Sequence, residues 1–117
     1  MARLTDRFQV GALLPDDAAS AELLRLLDRV CPGGSTYHVL THIPEQCEDV
    51  YTILIDDHSV ASFEVPRGHD PMILTHLKIR SFGAFRSEIG QGKERARLDR
   101  AAEQARKLLG SLPVLRS

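Results

Sequence analysis

The sequence predicts a two-layer α+β domain, in which an antiparallel sheet of about four strands carries two main helices on one face. Strand-like segments follow one another between residues 37 and 79, separated only by short turns. Helical periodicity is concentrated before and after them, so the predicted element order is β-α-β-β-β-α. The length of 117 residues suits a single domain spanning 1–117 with its own core.

The first two elements are predicted from alternation and from helix-start residues. Residues 7–14 alternate apolar and polar side chains and predict a short strand. Pro15, Asp16 and Asp17 then provide a fixed φ and side-chain oxygens that suit a helix start. The leucines that follow recur at helical spacing, and the Cys-Pro-Gly-Gly run at 31–34 ends the helix.

The middle of the chain predicts the sheet. Residues 37–43 alternate as a strand, and residues 49–55 and 59–65 form a hairpin around the turn at 56–59. The run at 49–55 is apolar on both faces, which indicates a central strand. Residues 72–79 complete the predicted sheet.

The C-terminal third predicts two helical segments. Residues 81–89 carry apolar side chains at helical spacing behind a candidate cap at Ser81, and Gly90 and Gly92 interrupt the pattern. The last helix, at 93–109, has an apolar stripe and an opposite face rich in Lys and Arg.

Charge is unevenly distributed along a chain whose net charge is only -1. Residues 1–77 hold 5 basic and 12 acidic side chains, whereas residues 78–117 hold 10 basic and 4 acidic ones. Such asymmetry can mark a partner surface, but the favoured expectation is that the two halves neutralise each other across the folded domain. The N-terminus has no apolar signal-peptide core, and no segment is apolar enough to span a bilayer, so we expect a cytoplasmic protein without membrane association.

The residues that usually carry catalysis or metal binding do not form a motif. His38 and His42 share a predicted strand but lie about 13 Å apart, too far to bind one metal ion. Cys31 and Cys47 belong to no Cys-x-x-Cys pair and are expected to be reduced. We therefore expect no metal, no cofactor and no enzymatic activity. Glu64 and His76, if their strands pair, would orient an imidazole for general base catalysis, and a small enzyme is the third functional hypothesis.

The basic last helix predicts the second hypothesis, nucleic-acid binding. Its side chains Lys93, Arg97, Arg100 and Lys107 lie opposite the apolar stripe and are the candidate phosphate contacts. Acidic residues interleave with them. The spacing predicts two i,i+4 ion pairs, Arg95–Asp99 and Glu103–Lys107, that would leave a solvated surface instead of a phosphate-binding one.

The sequence that ends in this helix also resembles a known family. The α-β-β-β-α order over residues 18–109, which ends in Gly90-Gln-Gly-Lys93 and an Ala-rich basic helix, is similar to the double-stranded-RNA-binding domain. In that family the last helix opens with a Lys-Lys-x-Ala-Lys cluster that contacts phosphates across the major groove. The corresponding run here is KERAR at 93–97, and the resemblance implies duplex RNA binding through it.

A sheet face left open by the helices predicts the leading hypothesis. If both helices cover one face, the other combines polar side chains with apolar ones from the central strand, a pattern typical of interaction sites. The candidate partner-binding residues are His38, His42, Tyr51, Ile53, Glu64, His76 and Lys78. We therefore expect a binding protein, a regulator, an inhibitor or immunity protein, or an assembly factor, whose partner is another protein. A homodimer is also compatible with this surface.

Overall fold

The computed structural model of the chain describes residues 9–10 and 18–111, with side chains over 21–110. The strands are β1 (Gln9–Val10), β2 (Thr36–Pro44), β3 (Glu48–Ile55), β4 (Ser59–Pro66) and β5 (Thr75–Ser81). The helices are α1 (Ala18–Val30), α2 (Phe82–Ile89) and α3 (Lys93–Ser111). Over these residues the strands form one sheet in the order β1-β2-β3-β4-β5.

The predicted α+β class is confirmed, as is the four-stranded antiparallel sheet, which consists of β2 to β5. β1 adds a short parallel pairing to β2, and the rest of the strand predicted at 7–14 lies outside the described residues, as does the helix start at 15–17. The predicted cap of α2 is present, since Ala84 N donates to Ser81 Oγ at 3.2 Å. No helix in 18–111 is long and apolar enough to cross a membrane.

The helices do not share a face of the sheet, and this corrects the two-layer arrangement. Leu23, Leu24 and Leu27 of α1 pack against one side, with Tyr37, Val39, Ile53 and Phe63 among the strand residues there. Leu98 and Ala102 of α3 pack against the other side, with Leu40, Leu54 and Val60. We call these the α1 face and the α3 face. The sequence of β3 explains why the helices lie on opposite faces. Ile53 and Ile55 point to one face while Leu54 points to the other, and all three are buried.

A β-bulge in β2 sets which residues reach each face. The pairing passes from Val39 opposite Ile53 directly to Thr41 opposite Thr52, so Leu40 has no partner across the ladder. The extra residue reverses the alternation of the strand beyond it. Ile43 consequently lies on the α3 face, whereas His42 lies on the α1 face.

The β3–β4 turn is anchored by a buried carboxylate. Asp56 Oδ1 accepts hydrogen bonds from Ser35 N at 2.9 Å, Thr36 N at 2.7 Å and Thr36 Oγ1 at 3.2 Å. Asp56 itself adopts a left-handed φ of 54°, which aspartate tolerates better than most residues. The turn predicted at 56–59 is thereby tied to the start of β2.

The chain before β2 passes so close to the core that only glycine fits at one position. A Cβ on Gly34 would lie 2.7 Å from the hydroxyl oxygen of Tyr37 and 2.9 Å from Cγ2 of Ile55. Both neighbouring side chains are buried, so neither can move aside without disturbing the α1 face.

Replacing Gly34 with Ala should therefore destabilise the protein by about 1–3 kcal/mol, the usual cost of overpacking a core. The matched control is Gly83→Ala in α2, where an added Cβ meets no atom within 4 Å. That variant should change the free energy of unfolding by less than about 1 kcal/mol, in the stabilising direction. Chemical denaturation measures both, and equal stabilities of the two variants would contradict the close approach.

Candidate functional site

The structure does not bring the predicted partner-binding residues together on one surface. Ile53 is fully buried on the α1 face, and His38 is buried at 4% exposure on the α3 face. Neither side chain is available to a partner. The expectation of an uncovered sheet face was wrong because helices cover both faces over the central strands.

His42 and Tyr51 lie together on the α1 face, where they belong to a structural network. Their rings stack with centroids 4.5 Å apart, and His42 Nε2 lies 3.0 Å from Asp49 Oδ1. Asp49 also accepts from Arg67 Nη2 at 3.0 Å, and this hydrogen bond is the main reason why the pKa of Asp49 is lowered. Arg67 further donates to the carbonyl oxygens of Glu45 and Gln46. The group thus stabilises the β2–β3 turn.

Glu64 and His76 do form the pair expected from strand pairing. Glu64 on β4 lies opposite Thr75 on β5, and His76 Nδ1 lies 3.3 Å from Glu64 Oε1. The His76 side chain is 75% exposed, however, and neither residue lines any of the grooves described for residues 21–110. Lys78, on the same strand, is also exposed. This pair therefore has an oriented imidazole on an open strand.

An apolar groove opens on the α3 face beyond the part that the helices cover. It has a volume of about 530 Å³ and lies between the end of β2, the neighbouring part of β3, α2 and the start of α3. We call it the β2 groove, and its lining includes Leu40, Ile43, Thr52, Phe85, Ile89 and Arg97. Ile43 is 52% exposed, the highest value among the large apolar side chains described.

This groove is not predictable from the sequence, because the bulge at Leu40 carries no recognisable sequence signal. Simple alternation places Ile43 on the face of Tyr37 and Val39, whereas the bulge moves it to the opposite face. The helical spacing of Phe85 and Ile89 was visible, and both residues pack at the edge of the α3-face core.

The basic helix α3 uses several of its arginines for internal contacts. The predicted Glu103–Lys107 pair is present at 3.5 Å. The predicted Arg95–Asp99 pair is wrong, because Asp99 instead receives two hydrogen bonds from Arg86 of α2, at 2.8 and 3.0 Å. Arg86 approaches from the neighbouring helix with a bidentate geometry that Arg95 does not match. Arg95 donates to the carbonyl oxygen of Gly90 at 3.2 Å.

The nucleic-acid candidates of α3 are all exposed but differ in their contacts. Arg97 Nη1 donates to the carbonyl oxygen of Leu40, the residue at the bulge, at 3.0 Å. Lys107 is paired with Glu103. Lys93 and Arg100 make no hydrogen bond or ion pair with any described residue.

Direct ion pairs do little to neutralise the charge asymmetry of the chain. Within 21–110, a single ion pair joins the two halves, between Arg106 and Asp57 at 3.3 Å. The other pairs, including Arg67–Asp49 and Arg80–Glu88, join residues of the same half. Within 21–110, direct ion pairs between the two halves therefore do not balance the excess of positive charge after residue 77.

The two cysteines and the remaining histidines form no cluster. Cys31 and Cys47 are free thiols, and burial raises the pKa of Cys31, which disfavours its reactive thiolate. In the described part of the chain, no three His, Cys, Asp or Glu side chains are placed to hold one metal ion.

His38 is a buried imidazole without a hydrogen bond. It lies opposite Leu54 beneath α3, and neither ring nitrogen makes a hydrogen bond to a described residue. Burial lowers its pKa, and the nearby Gln104 side chain, outside hydrogen-bond geometry, opposes this only in part. Burial therefore disfavours the charged form of His38 in the folded state.

Comparisons with known proteins give no match, since no family model, curated protein or solved structure is significantly similar to this chain. The resemblance to the double-stranded-RNA-binding domain thus has no support from them. The structure also inserts β5 and α2 between the third strand of that pattern and its last helix.

His38 should make stability depend on pH. Its pKa in the folded state lies below the unfolded value of about 6.5, so on acidification the unfolded chain binds the proton first. Its contribution is fully present above that pH and is lost as the pH falls through 6.5 toward the folded pKa. His38→Leu should remove this component and, at pH 7.5, unfold at the same or higher urea concentration, because no hydrogen bond is lost.

The control for His38 is His69→Leu, which changes an exposed imidazole with no described contact. It should keep the acid sensitivity of the unmodified protein. If His38→Leu and the unmodified protein lose stability in parallel between pH 7.5 and 5, the lowered pKa of His38 in the folded state is refuted.

Arg97 and Arg100 form a matched pair that tests the contact at the bulge. Arg97→Gln should destabilise the protein by about 0.5–1 kcal/mol, because it removes the donor to the Leu40 carbonyl. Arg100→Gln should change stability by less than about 0.5 kcal/mol, as expected for an exposed side chain without partners. Urea denaturation of both variants decides this, and an equal effect would show that the Arg97 contact adds nothing.

Proposed function

We propose that this protein acts by binding another protein through the β2 groove, as a regulator, an inhibitor or immunity protein, or an assembly factor. The observation that carries the proposal is the exposure of Ile43 beside an apolar groove lined by Phe85 and Ile89. An apolar side chain at the edge of a concave apolar surface is where a partner gains most from excluding water. Covering the exposed half of Ile43 alone would contribute about 1 kcal/mol.

The groove supports a protein partner better than an enzymatic role. Catalysis needs a polar group held beside an enclosed substrate, and the Glu64–His76 pair lies on an open strand with His76 75% exposed. The charged side chains that line the groove are Arg97 and Glu94, and its other polar side chains are the hydroxyls of Thr41 and Thr52. Arg97 is moreover engaged with the Leu40 carbonyl.

Nucleic-acid binding stays the second candidate because Lys93 and Arg100 are exposed cations without described partners. Against it, Arg86, Arg95 and Arg106 are occupied by internal acceptors. A phosphate-binding helix would need most of its cations free.

Site-specific photo-crosslinking tests the protein partner. A benzophenone side chain at position 43 should cross-link to a discrete protein in cells that naturally produce this chain. The same group at position 107, also exposed but remote from the groove, should not yield that product. Identical products from both positions, or none from position 43, would contradict the proposal.

Binding to an RNA duplex tests the second candidate. We expect no binding at about 150 mM salt, where protein–phosphate attraction is strongly screened. Nucleic-acid binding would be favoured instead if log affinity fell with log salt concentration by about 0.9 per phosphate contact. Lys93→Gln together with Arg100→Gln should then reduce that slope.

A further inference from the structure

We propose that the β2 groove binds an acidic amphipathic segment of its partner, with apolar side chains in the groove and carboxylates on α3. This inference rests on the proposed function and adds the chemistry of the partner. It depends on two features, the apolar lining of the groove and a row of exposed cations on α3 that meets the groove at Arg97.

The floor of the groove selects apolar side chains. Leu40 and Ile43 from β2 face Phe85 and Ile89 from α2 across it. The volume of about 530 Å³ suits a few side chains of a peptide segment better than a whole folded surface. A segment that fills it must therefore present apolar residues on one side.

Exposed cations on α3 beside the groove favour carboxylates. Lys93, Arg97 and Arg100 follow one another at spacings of four and three residues, so they form one row on the helix surface, and of the three Arg97 lines the groove. We call it the cation row. Lys93 and Arg100 have no described partner, and Arg97 uses only Nη1 for the Leu40 carbonyl, which leaves further N–H donors of its guanidinium.

One carboxylate of α3 also lines the groove, and it determines where the acidic side chains of the segment are best placed. Glu94 lines the groove one residue after Lys93 and makes no ion pair with a described residue. It would repel an acidic side chain placed directly beside it. The acidic residues of the segment are therefore best accommodated toward Arg97 and Arg100.

The same charges argue against a second copy of this chain as the occupant. A twofold dimer buries the same surface of both subunits, which would bring one cation row close to the other. Like charges across an interface oppose association. The net positive charge after residue 77, left largely unpaired by the rest of the fold, instead favours an anionic partner.

Selection from a phage-displayed library of random peptides on the full chain tests this inference. Enriched peptides should combine Asp or Glu with Leu, Ile or Phe. A synthetic, fluorescently labelled copy of the best peptide should lose binding at least tenfold with Ile43→Asp, which replaces an apolar lining residue of the groove with a charged one. Lys93→Gln with Arg100→Gln should weaken it about fivefold and reduce its salt dependence, as expected for two exposed ion pairs.

Controls keep the outcomes distinct. Arg97 is left intact in these variants because of its contact with the bulge, and Lys107→Gln, remote from the groove, should bind like the unmodified protein. Circular dichroism and thermal unfolding verify that each variant is folded.

Each result supports or overturns a specific claim. Enriched peptides that need Ile43 but are neutral or basic would overturn the acidic segment and leave the proposed function standing. Peptides that ignore Ile43, or no enrichment at all, would overturn both. If an RNA duplex binds and competes with the selected peptide, the inferred ligand is nucleic acid and not an acidic segment.

Discussion

The central strand β3 is the constraint on which the rest of this structure depends. Its alternate side chains are apolar in both directions, with Ile53 and Ile55 on one side and Leu54 on the other, and all three are buried. A sheet built around such a strand must be covered twice, since either bare face would expose apolar surface to water. The helices therefore separate, with α1 on one face and α2 and α3 on the other.

The second determinant is the bulge at Leu40, because it places an exposed apolar side chain on the α3 face. The unpaired residue reverses the alternation of β2, so that Ile43 lies on that face and lines the β2 groove while 52% exposed. The Leu40 carbonyl accepts a hydrogen bond from Arg97, which also lines the groove. A single backbone irregularity thus positions both the apolar residue and one of the cations of the candidate site.

Much of the fold was predictable from local sequence, and the candidate site was not. The two-sided apolar pattern at 49–55, the hairpin turn at 56–59 and the Ser81 cap depend on neighbouring residues, and the structure confirms each. The layer arrangement depends on which helix meets which face, and nothing in the helix sequences states that. The groove depends on a register shift, which arises from tertiary packing. The Arg86–Asp99 pair likewise required two helices to be brought together.

The two apolar clusters are separated by the sheet itself, and this has a consequence for how the protein tolerates change. Substitutions in α1, at Leu27 for example, and in α3, at Leu98, share no side-chain neighbour within either cluster. Their free-energy effects should therefore add, as they do for distant sites in other proteins. A change in the α3 layer, which carries the groove and the cation row, should accordingly leave the free-energy cost of a change in the α1 layer unaltered.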